Sequence, residues 1–208
     1  MRIVCISDTH SLESLLAPLP EGDILVIAGD FTNQGNAFDI KFFSQWLKRQ
    51  PFKHKLVIAG NHDTSFEYDP YITRPLLKNC TYLEDSGVTI EGLLFYGSPW
   101  QPEFLNWAFN LPRGEQLQAK WDMIPQNTDI LITHCPPYGI LDYTNFSRAH
   151  VGDKDLLKRV MSIKPKLHVF GHIHEGYGTL IKDRVTFVNA AICDEKNNVK
   201  NKPIVIDI

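Results

Sequence analysis

Excess charge of either sign is missing from this chain: 21 Lys and Arg stand against 24 Asp and Glu in 208 residues, a formal charge of −3. That balance disfavours a strongly basic nucleic-acid binder and an acidic tail protein alike. Cysteine is sparse as well. The four, Cys5, Cys80, Cys135 and Cys193, lie far apart without a Cys-x-x-Cys pair, so neither a zinc ribbon nor a dense disulfide scaffold is indicated and reduced thiols in a cytosol are expected. No stretch approaches the roughly 18 apolar residues of a membrane span, and the run Ile3–Ile6 is too short for a signal peptide. A cytoplasmic protein with no membrane partner is expected. Repeats, low-complexity tracts and long linkers are absent too, which favours a single domain over residues 1–208. With 43% hydrophobic residues such a chain buries roughly 70% of its unfolded surface and needs no covalent staples.

What is present is rhythm. Short runs rich in Ile, Val and Leu recur at Ile3–Ile6, Ile24–Ala28, Leu56–Ala59, Ile130–Thr133 and Leu167–Phe170, each too continuous for a half-exposed strand and expected to be covered on both faces. Between them Ala37–Gln50, Glu115–Ile124 and Asp153–Ile163 place apolar residues at helical spacing, among them Phe38, Phe42 and Trp46 in the first; Asp153 is the expected N-cap of the last and Pro165 closes it. Strand then helix, repeated, argues α/β. Thr81–Ser98 and Thr179–Ile208 break the rhythm and read as hairpins, so the class is mixed α/β. Asp194–Lys202, with its Asn and Lys cluster, is the least structured-looking segment.

Each buried run ends on a residue able to bind metal: Asp8-Thr9-His10, Gly29-Asp30, Gly60-Asn61-His62-Asp63, His134 and Gly171-His172-Ile173-His174. In α/β sheets ligands bind beyond the carboxyl ends of the strands, where neighbours about 4.8 Å apart bring such side chains together. The glycines before them suit a sharp turn and a close approach. Any one such dipeptide is ordinary turn chemistry; five in order are not. Imidazole and carboxylate donors without cysteine suit Mn, Fe, Zn or Ni, with Mg also possible, and argue against a structural zinc site.

This pattern resembles the calcineurin-like metallophosphoesterases, whose Asp-x-His, Gly-Asp, Gly-Asn-His-Asp/Glu, His and Gly-His-x-His motifs are matched in full. The resemblance extends to the vertebrate metallophosphoesterase-domain-containing proteins and their bacterial relatives through Gly29-Asp30-Phe31-Thr32, Phe109-Asn110-Leu111-Pro112-Arg113-Gly114, Pro136-Pro137 and the run from Gly171 to Gly178. It implies a four-layer sandwich, two β-sheets flanked by helices, with a binuclear metal centre at its rim. It implies that Asp8, His10 and His174 hold one metal, that Asn61, His134 and His172 hold the second, and that Asp30 bridges them. Against the two negative charges of Asp8 and Asp30, two divalent ions leave the centre electropositive, able to bind a phosphoryl oxygen and to lower the pKa of a bridging water. The resemblance makes His62 the residue that donates a proton to the leaving group, with orientation of a neighbouring ligand as the alternative role.

There is a departure. Where related protein phosphatases have Gly-Asp-x-x-Asp-Arg-Gly, this chain has Gly29-Asp30-Phe31-Thr32-Asn33-Gln34-Gly35, so the Asp that supports the catalytic histidine and the Arg that grips phosphate are both replaced. Asp63 is the expected substitute support for His62. The expected activity is hydrolysis of small phosphodiesters, cyclic nucleotides such as cAMP and cGMP above all, with no stable nucleic-acid partner. A phosphomonoesterase or protein phosphatase, a nuclease and a noncatalytic scaffold are the alternatives. Asn61, His62 and Arg113 are candidate substrate contacts. His150 could border the pocket, although a structural role is favoured; Trp100, Trp107 and Tyr138 are possible base-stacking residues, more often packing; His168 reads as a core histidine and His54 as surface.

Overall fold

The computed structural model describes residues 1–208. Two sheets pack face to face. In the first, strands Ile204–Asp207, Arg2–Ile6, Ile24–Ala28, His54–Ile58 and Thr81–Tyr82 lie side by side; the second runs Gly178–Lys182, Val185–Asn189, Leu167–Phe170, Ile130–Thr133, Leu93–Ser98 and Ser86–Ile90. The central strands of both are parallel and antiparallel pairs close three of the four edges; at the fourth, Thr81–Tyr82 pairs parallel with His54–Ile58 and so stands outside the hairpin expected over Thr81–Ser98. No helix is long and apolar enough to cross a membrane.

Three apolar clusters explain why the strand sequences run apolar without a break. Ile3, Cys5, Val26 and Ile58 of the first sheet meet Phe95, Ile130, Ile132 and Val169 of the second between the layers. The alternate residues Val4, Ile6, Leu25 and Val57 face outward and are covered by Phe43, Trp46 and Leu47 of the helix Ala37–Arg49. On the opposite side Leu131, Phe170 and Phe187 are covered by Leu117 and Trp121 of the helix Glu115–Asp122 and by Leu156 and Val160 of Lys154–Ile163. The order helix, sheet, sheet, helix is the four-layer arrangement expected, and period-two alternation buries both faces of each central strand.

The helix signals hold with one correction. Asn36 caps the first helix by accepting from Phe38 N and Asp39 N, and Asp153 caps the last by accepting from Asp155 N and Leu156 N. Phe38 belongs to the expected apolar face but is 76% exposed, because the buried face is the one carrying Ile40, Phe43, Ser44 and Leu47, and at about 3.6 residues per turn Phe38 projects from the other side of the helix. Both expected hairpins form, turning at Glu91-Gly92 and Asp183-Arg184, all four residues in the left-handed region. The last strand, Ile204–Asp207, leaves that sheet and pairs with Arg2–Ile6 in the other one.

A candidate metal centre at the strand ends

The parallel strands deliver their C-terminal residues to one rim. Asp8, His10 and His174 place ligand atoms within 4.8 Å of one another, as do Asp30, His134 and His172. Asn61 joins the second group, its Oδ1 3.0 Å from His134 Nε2. All seven residues expected as ligands therefore converge, and every one except His172 and His174 is buried. His62 places a ring nitrogen within 4.8 Å of ligand atoms of His10 and Asp30.

Hydrogen bonds on the far side of the rings decide which nitrogen faces the centre. His134 Nδ1 donates to Ala28 O at 2.9 Å and His174 Nδ1 to Asp194 O at 2.8 Å; a carbonyl only accepts, so each Nε2 is the inward atom. His10 Nε2 and His174 Nε2 face each other at 3.4 Å, with Asp8 Oδ1 at 3.4 Å from the latter, and Asp30 Oδ2 lies 3.3 Å from His134 Nε2. Converging imidazole nitrogens and carboxylate oxygens are a donor set for a divalent ion of the borderline type, and so the residues fit the metals that the sequence pattern implies. By themselves the side chains balance charge with protons. Burial opposes it, but Asp30 lifts His134 to about 9, and Asp8 lifts His174 to about 9 through a hydrogen bond. The Asp8 and Asp30 carboxyls are held below the usual range against burial, Asp8 chiefly by His174 and Asp30 chiefly by His134. His172 is pushed down to about 3 by burial and then by the charge on His134.

The backbone is bent to do this. Asp8, His10, Asp30 and His172 take φ of 52°, 47°, 53° and 66°, the left-handed region that costs a side-chain-bearing residue about 1 kcal/mol. Glycine serves in two ways beside them. Gly29 has φ 95°, whereas Gly171 supplies room: a Cβ there would lie 2.0 Å from Asp8 Oδ2 and 2.2 Å from Ser7 Oγ.

The support of His62 differs from expectation. Its Nδ1 donates to the main-chain carbonyl of Asn33 at 2.8 Å, while its ring lies against Trp107, centroids 4.0 Å apart and planes tilted by 32°, and meets His10 edge-on. Asp63 is committed elsewhere: its carboxylate accepts from Thr32 N, Thr32 Oγ1 and Gly60 N, bracing the two turns that carry Asp30 and Asn61. Burial and the Asp30 charge push it up to about 7 even so.

The weaker candidates fall outside the centre. Arg113 donates to Gly152 O, Val151 O and Asp153 Oδ2, tying a loop to the helix cap Asp153. His150 pairs with the buried Asp142 at 2.6 Å, on the face of the ribbon Tyr143–Thr144/Ala149–His150 opposite Thr144. Trp100 packs on Phe109 and donates to Asp85, and Tyr138 lies under Lys154. His168 is a core histidine, its Nε2 2.8 Å from Thr133 Oγ1, and His54 is half-buried at the start of its strand.

The centre floors a cavity of about 210 Å³ whose wall also includes Phe104, Glu175, Glu195 and Asn197 and contains no Lys or Arg. Phe104, Glu195 and Asn197 stand in loops without a motif of their own, whereas Glu175 lies in the run from Gly171 to Gly178 that carries the resemblance, without a role attached to it. Glu175, adjacent to His174, was the accessible signal; its Oε1 accepts from Thr144 Oγ1 and Asn145 N, both at 3.0 Å.

Residues 1–176 match a family model described as calcineurin-like phosphoesterase. Metallophosphoesterase domain-containing protein 1 of Homo sapiens is 45% identical, the alignment covering 100% of this chain and 71% of that protein. The crystal structure of TT1561 of Thermus thermophilus is similar at a TM-score of 0.59 and 15% identity, covering 90% of this chain and 88% of that one. A novel archaeal phosphodiesterase is similar at a TM-score of 0.50 and 15% identity, covering 99% and 100%. At such identities the two structures speak for the fold alone, and it is the same sandwich.

Proposed function

The chain belongs to the calcineurin-like phosphoesterase family, hydrolases of phosphoesters that use divalent metal ions, and from that premise we propose that it is a phosphodiesterase acting on small diesters, cyclic nucleotides such as cAMP and cGMP among them. Asp8, His10 and His174 would hold one ion and Asn61, His134 and His172 the other, with Asp30 between the two groups. Ions bound there would supply charge neutralisation at the phosphoryl oxygens and a water acidified enough to attack phosphorus. The chain contributes the rest. His134 and His174 are oriented by Ala28 O and Asp194 O. His62, its Nδ1 fixed on Asn33 O, presents Nε2 to the cavity as the proton donor for the departing oxygen.

The observation that carries the diester reading is the missing cation. A monoester brings a second negative charge to phosphorus, and clamping it calls for a guanidinium or ammonium beside the metals. This cavity has none, and Glu175 and Glu195 stand on its wall instead. Gln34 supplies no guanidinium, and Arg113 lies outside this cavity, tied to the 151–153 loop. A diester carries one charge, which the metal centre neutralises alone. The test is catalytic efficiency of metal-reconstituted protein on bis(4-nitrophenyl) phosphate, 4-nitrophenyl phosphate, cAMP, cGMP and a phosphopeptide. Diesters turned over faster than the monoester is the expected result; the reverse order, or turnover of the phosphopeptide alone, replaces this reading with a phosphatase.

A further inference from the structure

A second cavity, about 430 Å³, opens beside the metal centre and shares Phe104, His172 and Glu175 with it. Its character is different. Phe104, Phe146, Val151, Ile173 and Pro136 make much of its wall, and the charged groups there are Glu103, Glu175 and Arg113. Arg113 faces this space with its guanidinium tied to the 151–153 loop, at 2.6 Å on Val151 O, 2.8 Å on Gly152 O and 3.3 Å on the Asp153 carboxylate, which offsets its charge. An anionic substituent would therefore meet two carboxylates, Glu103 and Glu175, and a single guanidinium already paired with Asp153. The rim is apolar and unsupported by other parts of the chain: Phe146 is 94% exposed and Phe104 50%, in contrast to the aromatic residues packed beneath the helices.

We propose that this cavity receives the ester arm that stays on phosphorus, and that it selects an uncharged apolar arm, aryl or alkyl, with Phe146 and Phe104 as the specificity-determining side chains. The inference rests on the diesterase reading and narrows it to acyclic diesters, because in a cyclic nucleotide the retained and departing oxygens belong to one ribose. Two observations assign the retained arm rather than the leaving one. His62, which serves the departing oxygen, lines the metal cavity but not this one, and His172 lines both. A phosphorus held at the centre thus has its departing oxygen toward His62 and an equatorial ester position that can extend past His172 into the apolar cavity. Its volume is in the range that takes a small organic group. Substrates bearing a second phosphate on that arm, nucleic-acid strands included, are disfavoured by Glu103 and Glu175.

The experiment compares metal-reconstituted wild type, Phe146→Ala and Ser147→Trp on bis(4-nitrophenyl) phosphate and on methyl 4-nitrophenyl phosphate. The leaving group is the same in both; only the retained arm changes. Phe146→Ala removes an exposed ring, and Ser147→Trp fills the cavity from its rim, so neither threatens the core. The ratio of kcat/KM, bis-aryl over methyl, is expected to fall about tenfold in each variant, the scale of lost apolar contact in a specificity pocket, with the change in KM. A ratio that stays constant, including equal losses on both substrates, overturns the inference and leaves the diesterase reading standing. Wild type that hydrolyses neither diester but hydrolyses 4-nitrophenyl phosphate overturns the diesterase reading, and this inference falls with it.

Discussion

His62 is held by the main chain of Asn33: ring Nδ1 and carbonyl oxygen lie 2.8 Å apart. A carbonyl fixes the tautomer and aim of the ring as a carboxylate does. His62→Ala is expected to keep its metal and lose about 100-fold in kcat. Asn33→Ala leaves the carbonyl in place and is expected to leave kcat close to wild type. Metal analysis beside the kinetics checks the first point: loss of an ion from the His62 variant would make that residue a ligand.

Two ligand groups share one rim, so reconstituted protein is expected to carry about two equivalents of divalent ion per chain, and chelation is expected to abolish turnover. Asp30→Ala removes the carboxylate between the groups and is expected to lower the content of both sites together. Elemental analysis reads this directly, and a stoichiometry near zero in wild type sinks the metal assignment.

Gly171 leaves no room for a methyl group. Gly171→Ala would drive a carbon into Asp8 Oδ2 and Ser7 Oγ, with overpacking expected to cost about 1–3 kcal/mol. Because Asp8 is what must move, metal affinity is expected to fall along with the denaturation midpoint. Unchanged affinity at reduced stability would mean that the strain is absorbed by Ser7.

His168 makes stability depend on pH. Burial pushes it down to about 3, so the folded protein keeps it neutral while the unfolded chain takes up a proton below about 6.5. Its contribution is whole above that value and is lost as pH falls toward 3, at a slope of about 1.4 kcal/mol per pH unit. Denaturant unfolding across this window is expected to show a shallower acid slope in His168→Gln. Equal slopes would assign the acid limb to other groups.

The strands were legible because both faces of the sheets are covered, which turns Ile3–Ile6 and Ile24–Ala28 into unbroken apolar runs, and their tips were legible because Asp, Asn or His follows five such runs in succession. The hairpin at Asp183-Arg184 announced itself by turn chemistry. The pairing of Ile204–Asp207 with Arg2–Ile6 did not, since periodicity carries no information on which distant strand is the neighbour. The support of His62 and His174 was hidden for another reason. Asn33 and Asp194 act through main-chain oxygens, which every residue possesses, and the side chain printed at those positions is silent about it. Asp63 misled in the opposite way: it is the right residue type next to His62, but three hydrogen bonds from Thr32 and Gly60 had already claimed it.

The left-handed backbone at Asp8, His10, Asp30 and His172 implies a trade-off. These residues hold conformations that glycine would adopt freely, so the folded state carries a deficit of several kcal/mol. The deficit is settled once, during folding, and the aim of the ligands is fixed before any ion arrives. Replacing Asp8 or Asp30 by glycine would relieve that strain but orphan the buried donors their carboxylates hold, Ser7 Oγ and His172 N for Asp8 and His62 N for Asp30, so the same side chains that strain the rim also knit it together. Strain and support are thus carried by the same residues, and a change at either carboxylate disturbs the aim of its neighbours as well as its own.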